Sequence, residues 1–300
     1  EHSSPWKFYN FKNQQIKDQG WKIHLSSTLN NAQEILSGIS EVLLEKQIPF
    51  KHINDEFSLL NINSKNGNRI SSGKFITIYP PTDDTFLNLL DTLYEIVKDK
   101  ENGPYILSDK CWKDSNVFYR YGGFVSILNE KGEACIKDTE GNLIPDQRTP
   151  YYQVPDFVKG FDLYVDSKNN LTEDEEDKQK LSKYEFKNVF RYTNGGGIYL
   201  AERVTDKTKV VIKEARPKAG LDGQKRDAVD RLNVEYETLT KLSQVEGVVN
   251  VIDYFRSWKH YFLVEEYVEG FDLKTWLSVK YPFHRENDKN TYLMDIKKII

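Results

Sequence analysis

A glycine-rich turn, Asn194-Gly-Gly-Gly197, most constrains the fold of this chain, because strand-like segments flank it on both sides. A glycine turn between two such segments is typical of a β-hairpin. The elements that the pattern predicts around it are strands at 186–192, 197–204 and 207–213, a helix over 229–242, and a hairpin formed by 248–256 and 261–267. Short connections between these elements indicate an antiparallel sheet with one helix.

This half of the chain resembles the N-terminal lobe of a protein kinase. Val-Val-Ile-Lys213 matches the strand whose lysine holds the nucleotide phosphates, and Glu235 stands where the helix glutamate pairs with that lysine. Gly196 matches the third glycine of the phosphate loop. Glu265 lies in the segment Tyr261–Gly270, which resembles the strand and hinge that cradle adenine. The resemblance therefore implies that Gly196, Lys213, Glu235 and Glu265 bind a nucleotide.

Two parts of the kinase pattern are altered or missing. Arg191 and Thr193 occupy the first two glycine positions of the phosphate loop. His284-Arg-Glu resembles a catalytic-loop motif but follows Gly270 too closely, and neither the required asparagine nor an Asp-Phe-Gly comes after it, so we interpret it as a surface turn. We expect no phosphorylation by this polypeptide alone. An intact kinase domain would use ATP or GTP with Mg²⁺.

Composition restricts the function classes. A length of 300 residues favours two domains, and a net charge of -4 argues against a dedicated nucleic-acid-binding protein. The two cysteines, Cys111 and Cys135, are too few for a disulfide scaffold and favour a reducing cytoplasm. No apolar run approaches the ~20 residues that span a membrane. Metal-spaced His and Cys clusters are missing from the sequence, so no metal site is predicted.

The first 165 residues are predicted to form an α+β domain. Its predicted elements are strands at 21–25, 74–79 and 117–124 and amphipathic helices at 30–46 and 86–97. Residues 166–184 are polar and charged, with an acidic run at Glu173–Asp177, and are interpreted as a solvated linker. The kinase-like lobe then occupies 185–300 and ends before a catalytic loop.

Cationic side chains recur in the first domain. Lys22 and His24 are two residues apart on a strand, so both point to the same face. Lys74 follows a glycine at the start of another predicted strand, and Arg120 and Arg148 lie further along the chain. Each cation by itself is typical of a solvated surface. As a set they suit chemistry on a phosphate group.

Elimination of phosphate from phosphoserine or phosphothreonine needs a base for the Cα proton, cations for the phosphate dianion, and an acid for the departing oxygen. A lysine can be that base only if its pKa falls. Burial and neighbouring positive charges lower the pKa of a lysine, because both disfavour the ammonium form. A cluster of cations can therefore bind phosphate and activate a lysine at the same time.

The first domain resembles the phosphothreonine lyases of bacterial effectors and, more closely, the lyase domain that precedes a kinase domain in class III and IV lanthipeptide synthetases. The segments that carry this resemblance are Trp21–His24, Gly73–Pro80, Gly103–Asp109, Tyr119–Phe124 and Asp146–Pro155. It implies that Lys74 is the general base, that His24 is the general acid, and that Lys22, Arg120 and Arg148 bind phosphate. Lys110 stands where an arginine is expected after Ser108-Asp109.

By this resemblance the chain is a lanthipeptide synthetase fragment. The kinase would phosphorylate Ser and Thr of a ribosomal precursor peptide, the lyase would eliminate phosphate without a cofactor, and a further cyclase domain would act on the dehydroalanine and dehydrobutyrine. The leader segment of the precursor would bind at the domain junction or on the lobe, for instance on the helix 229–242. Two alternatives stay open: a free-standing phosphothreonine lyase acting on signalling proteins, and a non-catalytic peptide-binding module.

Overall fold

A computed structural model describes residues 4–12, 16–169 and 179–280. The first domain comprises β1 (Trp6–Tyr9), β2 (Gln19–Leu25), α1 (Ala32–Glu45), β3 (Phe50–Ile53), α2 (Glu56–Asn63), β4 (Ile76–Ile78), α3 (Asp83–Val97), β5 (Lys110–Cys111), β6 (Val117–Gly123), β7 (Ile127–Leu128), β8 (Ala134–Lys137), β9 (Leu143–Pro145) and α4 (Lys159–Ser167). The second domain comprises β10 (Tyr184–Thr193), β11 (Gly196–Arg203), β12 (Lys209–Ala215), α5 (Ala228–Lys241), β13 (Val251–Ser257), β14 (His260–Glu266) and α6 (Leu273–Lys280).

A six-stranded antiparallel sheet organises the first domain, in the order β1-β3-β4-β2-β6-β5. Helices α1 and α3 pack together and cover one face. The helix α3 can do so because Phe86, Leu89, Leu90, Leu93 and Val97 recur at helical spacing and are all buried. Thr82 caps its first turn by accepting a hydrogen bond from the Thr85 amide.

The side-chain period of two divides β2 between two environments. Trp21, Ile23 and Leu25 point into the helix-covered core, whereas Lys22 and His24 point to the opposite face. The polar side chains on that opposite face are buried as well, and Asp146, which follows β9 of the small sheet β7-β8-β9, pairs with Arg120 there. One strand thus contributes both core residues and site residues.

The second domain is a five-stranded antiparallel sheet in the order β10-β11-β12-β14-β13, with α5 packed against it. Asp227 and Asp230 form a reciprocal capping box at the start of α5. Ala228 and Leu232 of this helix pack on Ala215 and Leu263 of the sheet. The predicted mixture of α and β structure with antiparallel sheets is therefore confirmed.

Some predicted boundaries differ from the structure. Strand β4 begins at Ile76, so Lys74 lies in the turn before the strand. The Lys74 amide donates to the Ser71 carbonyl within this turn and not to a neighbouring strand. Helix α4 ends at Ser167, and Tyr184, assigned to the linker, begins β10 and is buried. The acidic run Glu173–Asp177 and the His284 motif lie outside the described residues.

Within the described ranges, no helix is long and apolar enough to cross a membrane. The same ranges hold no cluster of three or more His, Cys, Asp or Glu side chains that could bind a metal ion. Cys111 and Cys135 are both buried free thiols, and burial raises the pKa of Cys111 to about 12.

Candidate functional site

The strand pair β2–β6 places the first cations. Lys22 lies directly opposite Arg120 in the antiparallel register, and His24 lies two residues further along the same face. All three side chains are buried, with relative exposures of 8% for Lys22, 4% for His24 and 4% for Arg120. Like charges placed directly opposite each other on a sheet are destabilising. The fold therefore retains these two cations at a cost to stability.

Lys74 reaches the same face from the turn that precedes β4. Gly73, just before it, has a φ of 86°, and a Cβ there would lie 2.7 Å from the carbonyl oxygen of Pro104. Only glycine fits this backbone conformation without strain. The Lys74 ammonium, whose side chain is 13% exposed, lies 3.8 Å from a carboxylate oxygen of Asp109.

Asp109 orients the histidine. Its carboxylate lies 2.5 Å from Nδ1 of His24 and accepts a hydrogen bond from the Ser108 hydroxyl at 2.6 Å. Burial raises the pKa of Asp109, but contacts with His24 and Lys74 outweigh this and hold the pKa well below its usual value. Asp109 is therefore ionised, and the Nδ1 proton of His24 is directed toward it, which leaves Nε2 for chemistry.

A second carboxylate, Asp146, holds the two arginines. Arg120 donates to it at 3.0 Å and also to the Gln147 carbonyl at 3.2 Å, and Arg148 approaches its other oxygen at 3.4 Å. A Cβ at Gly122 would lie 3.0 Å from the same carboxylate, so the Gly-Gly end of β6 makes room for this contact. Asp146 thereby lies between the guanidinium groups of Arg120 and Arg148, which repel one another.

The pKa of each site lysine is lowered. Burial, followed by the charge of Arg120, lowers the pKa of Lys22 to about 7. Burial also lowers the pKa of Lys74, and Arg120 and Arg148 add to the effect, whereas Asp109 opposes it. The neutral form of Lys22 is accordingly accessible near physiological pH, and that of Lys74 is favoured relative to an exposed lysine.

Burial lowers the pKa of His24 to about 4, even though the neighbouring carboxylate of Asp109 raises it. The imidazole is therefore neutral at pH 7. An anion bound beside Lys22 and Arg120 would raise the pKa of His24, because an added negative charge stabilises imidazolium.

Three site residues were not identified from sequence. Asp109 and Asp146 lay in segments that carried the resemblance, but nothing in their local pattern indicated the partner of either carboxylate. Lys51 lies on β3, its ammonium 4.4 Å from the ring of Trp6. Burial lowers the pKa of Lys51, and Arg148 and Lys74 add to the effect, which places it beside the cluster. A single lysine in an otherwise apolar strand does not by itself indicate a functional site.

Lys110 does not join the cluster. It pairs with Tyr119 across β5 and β6, on the core side of the sheet, and its ammonium lies 3.2 Å from both Asp162 and Asp166. The residue at the expected arginine position thus anchors α4.

In the second domain, Lys213 and Glu235 form an ion pair of 2.6 Å between β12 and α5. Glu265 is buried at the end of β14, and its carboxylate lies 2.9 Å from the same ammonium. Burial lowers the pKa of Lys213, but its contacts with the two glutamates outweigh this and raise it. Three of the predicted nucleotide-binding residues therefore come together, with the Glu265 side chain directed at the lysine.

The glycine turn has a different environment. Asn194 at its tip is 2% exposed and donates to the Ser64 carbonyl of the first domain at 2.9 Å. A Cβ at Gly196 would lie 1.9 Å from the carbonyl oxygen of Glu214, so glycine is required there for close strand packing. The turn predicted to cradle phosphate is therefore buried at the domain boundary.

Comparison with known proteins identifies relatives. Residues 1–169 match the family described as RamC, N-terminal domain. A curated protein named "Probable SapB synthase", from Streptomyces coelicolor, is 34% identical over 271 residues, which cover 88% of this chain and 28% of the relative. The chain thus spans well under half the length of that relative. Since the family match covers more than half of the chain, including β1 to α4, the chain belongs to the RamC N-terminal domain family.

Proposed function

We propose that the first domain eliminates phosphate from phosphoserine and phosphothreonine of a ribosomal precursor peptide, as the lyase part of a lanthipeptide synthetase. The observation that carries the proposal is a buried cation cluster on one sheet face, in which Lys22 and Lys74 both have lowered pKa values. The similarity to a probable SapB synthase supports a role in peptide modification.

In this mechanism, neutral Lys74 removes the Cα proton of the phosphorylated residue. The electron pair forms the Cα–Cβ double bond as the Cβ–O bond breaks and phosphate departs. Lys22, Arg120 and Arg148 hold the phosphate dianion, the arginines through their planar forks. His24, protonated on binding and oriented by Asp109, gives its proton to the departing oxygen. The products are dehydroalanine or dehydrobutyrine and inorganic phosphate, so no cofactor is needed for this step.

The longer protein would supply the phosphorylated residue through an intact kinase domain that uses ATP or GTP with Mg²⁺. Lys213 and Glu235 fit nucleotide phosphates, since their ion pair is formed, whereas the buried turn at Gly196 does not fit that role in this arrangement. A leader segment of the precursor would hold the substrate near both domains.

The test is elimination from a leader-bearing phosphoserine peptide, followed by mass spectrometry. We expect loss of phosphoric acid with the unaltered chain, and a fall in kcat of about 10²–10⁴-fold in Lys74→Arg, which keeps the positive charge but not the base. Lys131→Ala, which changes an exposed lysine in the β7–β8 turn, serves as the matched control.

The pH profile adds a second criterion. Because Lys74 must be neutral while His24 and Lys22 must carry protons, kcat/KM should first rise and then fall with pH, and its rising limb should lie below 10.5, the ordinary pKa of lysine. Turnover of folded phosphoproteins in preference to the precursor peptide would instead support a free-standing phosphothreonine lyase. Tight peptide binding without any loss of phosphate would support a non-catalytic binding module and overturn the proposal.

A further inference from the structure

The end of helix α2 connects the second domain to the turn that carries Lys74. Asn63, the last residue of α2, is 3% exposed. Its carbonyl accepts a hydrogen bond from the Leu221 amide at 2.9 Å, and its side-chain oxygen accepts one from the Gly73 amide at 2.8 Å. One buried residue therefore bonds the second domain on one side and the residue before Lys74 on the other.

The neighbouring contacts make this connection a continuous seam. Leu221 also accepts from the Lys65 amide at 3.0 Å, so a short parallel bridge joins the two domains at Ser64. Asn194 donates to the Ser64 carbonyl, and Arg69 donates to the Thr193 carbonyl at 3.1 Å. The whole segment between α2 and Lys74 is thus held by the second domain at several points.

The opposite wall of the turn is held by the second domain too. Gly73 packs within 2.7 Å of the Pro104 carbonyl, measured from an ideal Cβ. Tyr105, the next residue, accepts a hydrogen bond from Arg216 at 2.8 Å. Arg216 is 1% exposed and also donates to the Asn194 carbonyl. The second domain therefore bonds the first-domain segments on both sides of the Gly73 turn, at Asn63 through Leu221 and at Tyr105 through Arg216.

The loop that makes these contacts is itself fixed within the second domain. Gly220 has a φ of 69°, and a Cβ there would lie 2.5 Å from the Cα of Gly195. The Lys218 amide donates to Asp227, the N-cap of α5, at 2.7 Å. The contacts with Gly195 and with the N-cap of α5 therefore hold the loop that carries Leu221 in place.

Lys74 is sensitive to such positioning for two reasons. Its lowered pKa depends chiefly on burial, so a turn that loosens would hydrate the ammonium and raise the pKa. A displacement of about 1 Å at a reacting group can cost up to about 100-fold in rate. The charged groups that influence Lys74 or pair with it are Lys22, His24, Lys51, Asp109, Arg120, Asp146 and Arg148.

We propose that Asn63 is a positioning residue through which the docked second domain holds the Gly73 turn and so delivers Lys74 to the lyase site. The inference rests on the proposed elimination reaction and extends it. Docking at Leu221 and at Arg216 is part of the lyase machinery, and a change in the position of α5 alters elimination in the first domain.

The experiment compares variants of the intact chain. Asn63→Ala removes the acceptor for Gly73, and Asn63→Asp retains a side-chain oxygen in the same place. Asn194→Ala loosens the seam from the second-domain side. Lys225→Ala is the matched control, because it breaks the Lys225–Glu56 ion pair of 2.6 Å at the same boundary without touching the seam.

Elimination from a phosphoserine peptide is measured as kcat and KM across pH. We expect kcat to fall about tenfold or more in Asn63→Ala and less in Asn194→Ala, with KM nearly unchanged and the rising limb shifted to higher pH. Asn63→Asp should recover part of kcat, and Lys225→Ala should match the unaltered chain. An unchanged limb and unchanged kcat in Asn63→Ala would overturn the proposal, as would an equal effect of Lys225→Ala.

A second readout separates this inference from the proposed reaction. Competitive acetylation across pH, read by peptide mass spectrometry, follows the pKa of the Lys74 amine without any turnover. A raised pKa of Lys74 in Asn63→Ala and Asn194→Ala, against an unchanged value in Lys225→Ala, supports positioning even if the chain eliminates no phosphate. A raised pKa without elimination would thus contradict the proposed reaction and leave the positioning role supported. A constant Lys74 pKa in all three variants overturns the positioning role.

Discussion

At the scale of single residues, the site is defined by charges that are costly to bury. Lys22 and Arg120 face each other on neighbouring strands, and Asp146 offsets only part of their repulsion. Strand alternation predicted that Lys22 and His24 share a face, since that periodicity is local. The carboxylates opposite them come from distant loops, at Asp109 and Asp146, and no local pattern connects those positions.

Lys22 should make stability depend on pH. Its pKa is about 7 in the folded chain and 10.5 in the reference state, so the folded state carries the cost of a buried charge below pH 7. Between pH 7 and 10.5 the unfolded chain binds more protons than the folded chain. The free energy of unfolding therefore rises with pH over this range. Lys22→Met removes this dependence.

Urea unfolding at pH 6 and pH 9 tests this prediction. The free energy of unfolding of Lys22→Met, relative to that of the unaltered chain, should be more favourable at pH 6 than at pH 9 by about 3 kcal/mol. Lys131→Ala, at an exposed position, controls for general charge effects. A relative stability that is the same at both pH values would show that Lys22 keeps an ordinary pKa in the folded protein.

At the scale of elements, the long amphipathic helices and the longer strands were predicted well, because each has its own hydrophobic period. The helices predicted at 30–46 and 86–97 correspond to α1 and α3. The helix α2 and the strands β7, β8 and β9 were missed, since they are short and weakly patterned. The turn between α2 and β4 matters most among the missed parts, because it carries Lys74.

Gly73→Ala should damage both stability and elimination. The φ of 86° is strained for alanine, and the added Cβ would press on the Pro104 carbonyl, so we expect a loss of about 1–3 kcal/mol and a larger fall in kcat than rise in KM. Gly132→Ala is a close control, because Gly132 has a φ of 75° but no atom within 4 Å of its Cβ position. Equal losses of stability and full activity in both variants would contradict the argument.

At the scale of the whole molecule, the two domains share a polar boundary. Arg216 is buried there and bridges Asn194 of the second domain to Tyr105 of the first. Exposed ion pairs such as Lys218–Glu101 lie along the same boundary, but surface pairs of this kind contribute little to stability. The buried guanidinium is therefore a stronger link than these exposed pairs, beside the hydrogen bonds at Asn63 and Asn194.

Arg216→Met should separate the unfolding of the two domains. It leaves two backbone carbonyl groups and the Asn194 side-chain oxygen without their buried donor, so we expect a loss of about 2–4 kcal/mol and two calorimetric transitions in place of one. Lys218→Ala, which removes an exposed ion pair at the same boundary, should keep a single transition at nearly the same temperature. A single unchanged transition in Arg216→Met would show that the boundary does not couple the domains.

The sequence by itself determined the α+β class, the antiparallel sheet with one helix in the second half, and which face of β2 carries Lys22 and His24, because these follow from short-range periodicity. Only the tertiary structure decided that Asp109 orients His24, that Glu265 turns toward Lys213, and that the glycine turn packs against Ser64. Those contacts join residues far apart in the chain. Their geometry depends on how whole elements pack, which no local pattern encodes.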